Sequence, residues 1–166
     1  MNNGANGNGK AHAGQRRIVV CAGTGCVASG SYGVYQALVE QIRAAGLPIE
    51  TEFRPESTGE LRLNKSGCQG FCQMGPLVTI LPESLLYTKV KVSDVPEIIE
   101  RTLKQSAPVE RLLYVDPATR KRCRGVDEIP FYQRQRRFVL NECGTIDPEC
   151  IQEYMHHGGY AAARKA

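Results

Sequence analysis

The sequence predicts an α/β protein whose elements follow the order β-α-β-β-β-α. A β-branched run over residues 16–21 ends at a cysteine, and an apolar pattern with helical spacing follows over 31–45. Two further apolar runs, 77–81 and 85–90, are joined by a Pro-Glu turn. With 166 residues, 42% of them hydrophobic, the chain is long enough for one compact domain with appendages.

The first three elements are predicted to form a β-α-β unit. Arg16–Cys21 is typical of a buried strand, and the Gly-rich residues 21–31 that follow are expected to be loop. A helix is predicted over Ser31–Ala45, with its first residue as N-cap and Gly46 as the stop signal. In Ile49–Phe53, apolar residues and Thr alternate with glutamates, which predicts a half-buried strand.

The remaining elements complete the domain. Residues 61–64 are expected to form a short extended segment before a loop over 66–76. Leu77–Leu81 and Leu85–Val90 then form a hairpin, and a helix with a proline in its first turn follows over residues 93–105. Short connections and a right-handed crossover leave few alternatives to a thioredoxin-like arrangement for this order of elements.

The chain divides into three segments by composition. Residues 1–15 are rich in Gly and Asn and lack an apolar run, which predicts a disordered leader rather than a signal peptide. A mitochondrial transit peptide is less favoured because the leader also lacks Arg and Ser. Residues 16–107 form the α/β domain, and residues 108–166 form a mostly helical connector with a helix over Asp147–His157. Tyr160–Ala166 resembles the start of another helix, so we expect a truncated region there.

Charge and cysteine content narrow the possible functions. The net charge is +4, there are seven cysteines, and no apolar stretch is long enough to span a bilayer. An odd cysteine count without a secretory signal favours metal or redox chemistry in the cytoplasm over a disulfide framework. Seven Lys and Arg residues lie between Arg120 and Arg137. No stacking aromatics are interleaved on a strand pattern, so we expect this run to dock a partner domain or an acidic subunit rather than nucleic acid, with Phe131 and Tyr132 as anchors.

Four cysteines in two Gly-rich loops carry the candidate chemistry. The first cysteine loop has the pattern C-x4-C and the second has C-x3-C, with 41 residues between them, and the ligand candidates are Cys21, Cys26, Cys68 and Cys72. Thiolates are soft ligands that suit zinc or iron–sulfur centres. The glycines let the backbone wrap closely around an inorganic core and leave N–H groups free to point at sulfur.

Three alternatives to an iron–sulfur cluster compete at this point. Structural zinc sites usually take their ligands from narrower pairs such as C-x2-C, whereas both pairs here are wider and suit a centre with two metals. A dithiol oxidoreductase would normally carry C-x-x-C, which is absent. Ordinary buried cysteines rarely cluster in Gly-rich loops. The spacing favours a [2Fe–2S] cluster but leaves zinc, and less strongly the other two, open.

At these residues the sequence resembles the thioredoxin-like [2Fe–2S] ferredoxin family. The segments CAGTGC and GCQGFCQMGPLVTI are similar to the N-terminal part of flavin-containing NADH-oxidising subunits. Such subunits occur in NAD(P)-dependent [FeFe] hydrogenases and formate dehydrogenases and are related to the NADH-binding subunit of complex I. The connector resembles theirs at Cys143-Gly144, at Ile146–Glu149 and at Gly158-Gly159-Tyr160. The resemblance therefore runs from about residue 16 to the end.

The resemblance implies a one-electron relay within an NADH-linked complex. It implies that the four cysteines are ligands of a [2Fe–2S] cluster. It also implies that the partners are flavoprotein and iron–sulfur subunits. The chain departs from the family pattern because no G-x-G-x-x-G follows a strand. FMN and NADH are therefore expected only in a downstream domain or a partner, and no complete active site is expected in this chain. A zinc-stabilised or purely structural docking module is the alternative function.

Four further residues or pairs are weighed against a role in metal binding. Cys123 lies among Arg and Lys, which would lower its pKa, but it is more simply an exposed thiol on a linker. Cys143 and Cys150 flank a predicted helix start and are expected to pack rather than to ligate. His156-His157 is placed at a helix end, where a cation favours the dipole.

Overall fold

A four-stranded sheet forms the centre of the protein, for which the computed structural model describes residues 15–56, 59 and 61–166. The strands lie in the order β2-β1-β3-β4, with β2 parallel to β1 and the others antiparallel. Their bounds are Arg16–Cys21 (β1), Leu61–Ser66 (β2), Val78–Leu81 (β3) and Leu85–Tyr87 (β4). This confirms the predicted thioredoxin-like α/β fold. The predicted leader, apart from Gln15, lies outside the described residues.

Strand β1 is buried on both faces because helices cover one side of the sheet and the connector covers the other. Ile18 and Val20 point into the main core, where Val34, Leu38 and Ile42 of the following helix pack against them. Alternate side chains of a strand point to opposite faces. Arg17 therefore faces the connector, and yet it is only 5% exposed.

The second strand lies later in the chain than predicted. Ile49–Phe53 is not a strand, because only Glu50 pairs with the sheet, through an isolated bridge to Arg62. Leu61–Ser66 instead pairs with β1 along its whole length. Its polar residues Arg62 and Asn64 are 4% and 1% exposed, because the connector covers them. The alternating pattern of Ile49–Phe53 therefore predicted the wrong segment as the second strand.

The first cysteine loop contains a helical turn that was not predicted. Helix α1 spans Thr24–Ala28, and α2 spans Ser31–Ala44. The N-cap of α2 is Gly30, at φ 95°, rather than Ser31, which is the first helical residue. Gly46 follows the helix with φ 71°, a left-handed conformation that ends helices, as the sequence indicated.

The domain ends in the predicted hairpin and helix. A 3-10 turn over Val92–Asp94 leads into α3, Val95–Glu97, which continues as a π-helix over Ile98–Lys104. The Lys91 backbone N–H donates to Asp94 Oδ2 at 2.8 Å and so caps this helical segment. Ile98 and Val95 pack into the main core.

The connector, residues 108–166, consists of turns, short helices and a two-stranded sheet. Its strands are β5, Tyr114–Val115, and β6, Arg122–Cys123; its helices are α4, Pro130–Gln133, and α5, Ile151–His156, with 3-10 turns at Glu110–Leu112 and Val126–Glu128. The predicted helix over Asp147–His157 thus begins only at Ile151. Tyr160–Ala166 forms turns rather than the expected helix start.

A buried ion cluster attaches the connector to the sheet. Glu153 on α5 is fully buried, and Arg62 of β2 donates to both of its carboxylate oxygens at 2.9 and 2.8 Å. Arg17 of β1 lies 3.5 Å from Glu153 Oε1 and also donates to the Thr145 carbonyl. The Asp147 backbone N–H donates to Glu153 Oε2 at 3.0 Å. One carboxylate thus compensates two buried guanidinium groups.

None of the helices in the described part of the chain has the length and apolar character needed to cross a membrane.

Candidate metal centre

The four predicted ligands lie close together beyond the carboxyl ends of strands β1 and β2, because of the strand register. Cys21 is the last residue of β1 and lies beside Ser66, the last residue of the parallel strand β2. The Ala22 N–H donates to the Ser66 carbonyl at 2.9 Å, and the Cys21 N–H donates to Leu77 at 3.0 Å. Both cysteine loops therefore leave the sheet at the same end.

The two loops interleave, and glycines make the close approach possible. A Cβ atom added at Gly23 would lie 2.7 Å from Cys68 Cβ, and one at Gly75 would lie 2.7 Å from Cys26 Sγ. A Cβ at Gly25 would lie 3.1 Å from Cys72 Cβ. Real Cβ contacts below 3.0 Å are essentially never seen. Each loop thus presents its glycines to the cysteines of the other.

The thiols form two pairs. Cys68 and Cys72, the outer pair, have their Sγ atoms 3.9 Å apart, far beyond the roughly 2.05 Å of a disulfide. Cys21 and Cys26, the inner pair, lie close enough for each thiol to shift the pKa of the other. All seven cysteines of the chain are free.

This pairing fits two metal ions better than one. A tetrahedral zinc site needs four ligands around one point. Two thiol pairs instead offer two sulfur ligands to each of two irons, which is the donor set of a [2Fe–2S] cluster.

The pKa values within each pair reflect how close its two sulfur atoms lie. The pKa of Cys21 is lowered to about 6. The largest cause is the hydrogen bond from the Cys26 thiol, and the backbone N–H groups of Gln69 and Gly23 lower it further. The same shared proton raises the pKa of Cys26, and sharing with Cys68 raises that of Cys72. Proximity of two sulfur atoms therefore disfavours negative charge on both.

The pairs differ in exposure. Cys21 and Cys26 are both 1% exposed, whereas Cys72 is exposed and Cys68 is half-buried. The second cysteine loop therefore separates the site from solvent. Its Gly70 has φ 84°, and the Gly70 N–H donates to Cys68 Sγ at 3.3 Å. This left-handed conformation favours glycine and directs a donor at a candidate ligand.

The connector supplies the other wall of the site, which sequence reasoning found only in part. Phe71 of the second cysteine loop stacks on Phe131 at 4.9 Å and contacts Tyr132 edge-on at 5.5 Å. These two residues were expected as anchors on a partner domain or an acidic subunit, and here they contact Phe71 of the same chain. Arg137 and Cys143 also reach this loop: Arg137 donates to the Gln69 carbonyl, and a Cβ at Gly67 would lie 3.3 Å from Cys143 Sγ. Neither Arg137 nor Cys143 belongs to a sequence motif that includes the four cysteines, so the sequence did not predict these contacts.

Of the residues set aside, Cys123 packs in the same apolar cluster as Cys21 and Cys26, whereas Cys150 and His157 have other partners, and one expectation is corrected. Cys123 is 2% exposed, not an exposed thiol, and burial raises its pKa. It packs beside Leu86 and Ile129. Cys150 Sγ lies 3.6 Å from Gln152 Oε1, and His157 Nδ1 lies 3.5 Å from Glu142.

Alanine at Gly23 is expected to disrupt the site. The added Cβ meets the backbone and side chain of Cys68, so the loops must separate, at a cost of about 1–3 kcal/mol. We expect lower iron binding per chain and a lower free energy of unfolding, measured by metal analysis and urea denaturation.

Gly33, inside α2, provides the matched control. A Cβ there would make an ordinary 3.5 Å contact with Val92 Cγ2. Gly33→Ala should leave iron binding unchanged and stabilise the helix by about 0.5–1 kcal/mol. Equal iron binding by both variants would contradict the interleaved geometry.

Comparison with known proteins identifies relatives of the region that contains the four cysteines. Residues 9–103 match the family described as thioredoxin-like [2Fe–2S] ferredoxin. A [2Fe–2S] ferredoxin of Aquifex aeolicus is 38% identical over 88 residues, which are 53% of this chain and 71% of that protein. One of Clostridium pasteurianum is 29% identical over 87 residues, 52% of this chain and 76% of that protein. The solved structure of a thioredoxin-like [2Fe–2S] ferredoxin from Aquifex aeolicus is 32% identical, with 60% of this chain and 90% of that one covered and a TM-score of 0.49. The family match ends before the connector.

Proposed function

The chain belongs to the family of thioredoxin-like [2Fe–2S] ferredoxins, and from this premise we propose that it holds a [2Fe–2S] cluster and relays single electrons. The proposed ligands are Cys21, Cys26, Cys68 and Cys72. The observation that carries the proposal is the convergence of two thiol pairs, from two interleaved loops, at the edge where β1 and β2 end. When bound, the cluster supplies reversible one-electron redox chemistry.

The two thiol pairs have different roles in this proposal. The inner pair lies in the core beside Leu77 and Leu86 and anchors the site to the sheet. The outer pair lies toward solvent and offers the shorter route for an electron to a partner. The Gly70 N–H stabilises negative charge on Cys68 sulfur, which is one of the ways a protein sets a reduction potential.

A reductive titration tests the relay. Anaerobic protein titrated with dithionite should take up one electron per chain, lose visible absorption and gain an EPR signal. Uptake of two electrons without an EPR signal would instead indicate thiol–disulfide chemistry and overturn the proposal.

We further propose that the chain works within a cytoplasmic, NADH-linked oxidoreductase complex of the hydrogenase, formate dehydrogenase or complex I type. The support is the connector sequence, with Cys143-Gly144, Ile146–Glu149 and Gly158-Gly159-Tyr160. In this proposal residues 16–107 are the ferredoxin domain, residues 108–166 lead toward a flavoprotein region, and FMN and NADH bind there or in a partner.

The NADH-linked context has its own test. The isolated, cluster-loaded chain should not be reduced by NADH, because the pair of electrons in a hydride must first be split by a flavin. Addition of an NADH-oxidising flavoprotein subunit should permit reduction, followed as loss of visible absorption. Rapid reduction of the isolated chain by NADH alone, or no reduction with the flavoprotein present, would contradict this context.

A further inference from the structure

Arg137 of the connector is fixed beside the second cysteine loop by one contact with that loop and two contacts within the connector. Its Nη2 donates to the Gln69 carbonyl, and its Nη1 donates to the Cys143 carbonyl at 3.3 Å. Its guanidinium carbon lies 5.0 Å from the centre of the Tyr132 ring, a cation–π contact. Two carbonyls and one ring therefore fix the position of the charge.

This fixed charge lies beside the loop that carries Cys68 and Cys72. Gln69 follows Cys68 directly, and a Cβ added at Gly70 would lie only 3.3 Å from Arg137 Nη2. Among the described residues, Arg137 forms no ion pair with a carboxylate. Its positive charge is thus directed at the cysteine loop without a neighbouring anion to offset it.

A fixed cation matters at a site that gains negative charge. A cluster held by four thiolates is anionic and becomes more so when it accepts an electron. Hydrogen bonds and nearby charge are recognised ways of setting the reduction potential of such a centre. Because partial burial reduces the screening of Arg137 by water, its attraction for the added electron persists at moderate salt.

We propose that Arg137 is a positioning residue that fixes the second cysteine loop and raises the reduction potential of the cluster, an inference that rests on the function proposed above. Arg137 lies outside residues 9–103, the range that matches the family. The connector therefore tunes a cluster that the ferredoxin domain holds.

The test compares variants of the full, cluster-loaded chain in a dithionite titration monitored by EPR. Arg137→Gln should lower the equilibrium constant for one-electron reduction about tenfold, which is about 59 mV for a one-electron couple. Arg137→Lys keeps the charge and should remain within about threefold of the parent protein. Arg136→Gln, which removes an exposed neighbouring charge, should change the constant by less than about twofold.

The outcomes separate this inference from the proposed function. Equal potentials for Arg137→Gln and the parent, at equal iron and sulfide content, would overturn the role of Arg137 and leave the cluster assignment standing. A potential for Arg137→Lys as low as that of Arg137→Gln would overturn the role of the charge. If Arg137→Gln loses the cluster, Arg137→Met, whose chain can still pack on Tyr132, provides the uncharged comparison. Failure of the parent chain itself to take up iron and sulfide would overturn the proposed function, and this inference with it.

Discussion

Alanine in place of any one proposed ligand is expected to remove the visible absorption and the EPR signal of the reduced protein. The four variants are Cys21→Ala, Cys26→Ala, Cys68→Ala and Cys72→Ala. Each thiolate is one of four, and the two loops bring them together only in the folded domain. Metal binding then contributes to folding, so each variant should also unfold at a lower urea concentration than the parent. Alanine is a cleaner test than serine, whose oxygen can ligate iron.

Cys150→Ala is the matched control, because its thiol lies on the connector near Gln152. It should keep the full spectrum and the parent's stability. Cys123→Ala should also keep the spectrum but lose some stability, since that side chain is buried in a small apolar cluster. A colourless Cys150→Ala protein, or an unchanged spectrum in Cys72→Ala, would show that the ligand set is wrong.

Glu153→Gln is expected to destabilise the protein by about 3–5 kcal/mol, because it leaves two buried guanidinium groups without a counter-charge. Burial, followed by the Arg62 charge, lowers the pKa of Arg17, and the Glu153 charge opposes this shift. The free energy of unfolding from urea denaturation measures the loss.

Glu149→Gln, four residues earlier, tests whether burial causes this effect. Glu149 pairs with Lys65 but its side chain is 66% exposed, so the loss should be within about 1 kcal/mol. Similar losses for the two variants would mean that the Arg17–Glu153–Arg62 cluster does not attach the connector to the sheet as described.

Local patterns in the sequence predicted β1 and the hairpin well. The apolar run of Arg16–Cys21 and the apolar residues of Leu77–Leu81 and Leu85–Val90 carry their own signal, because neighbouring residues set their burial. The cysteine spacing likewise indicated a two-metal centre before any contact was known. The structure then showed that the loops approach through glycines, with Cys68 against Gly23.

Long-range contacts account for what the sequence did not predict. Arg62 and Asn64 are polar, yet they are buried on the edge strand β2 because the connector covers them and Glu153, some 90 residues later, compensates the arginine. No window of 11–18 residues contains both partners, so only a short extended segment was expected, over residues 61–64. The contacts of Arg137 and Phe131 with the second cysteine loop were missed for the same reason.

The most direct test of the central claim is the content of iron, acid-labile sulfide and zinc in one sample of anaerobically prepared protein. We expect two irons and two sulfides per chain and no stoichiometric zinc, because two thiol pairs match the donor set of a [2Fe–2S] cluster. One zinc per chain with no sulfide would contradict it.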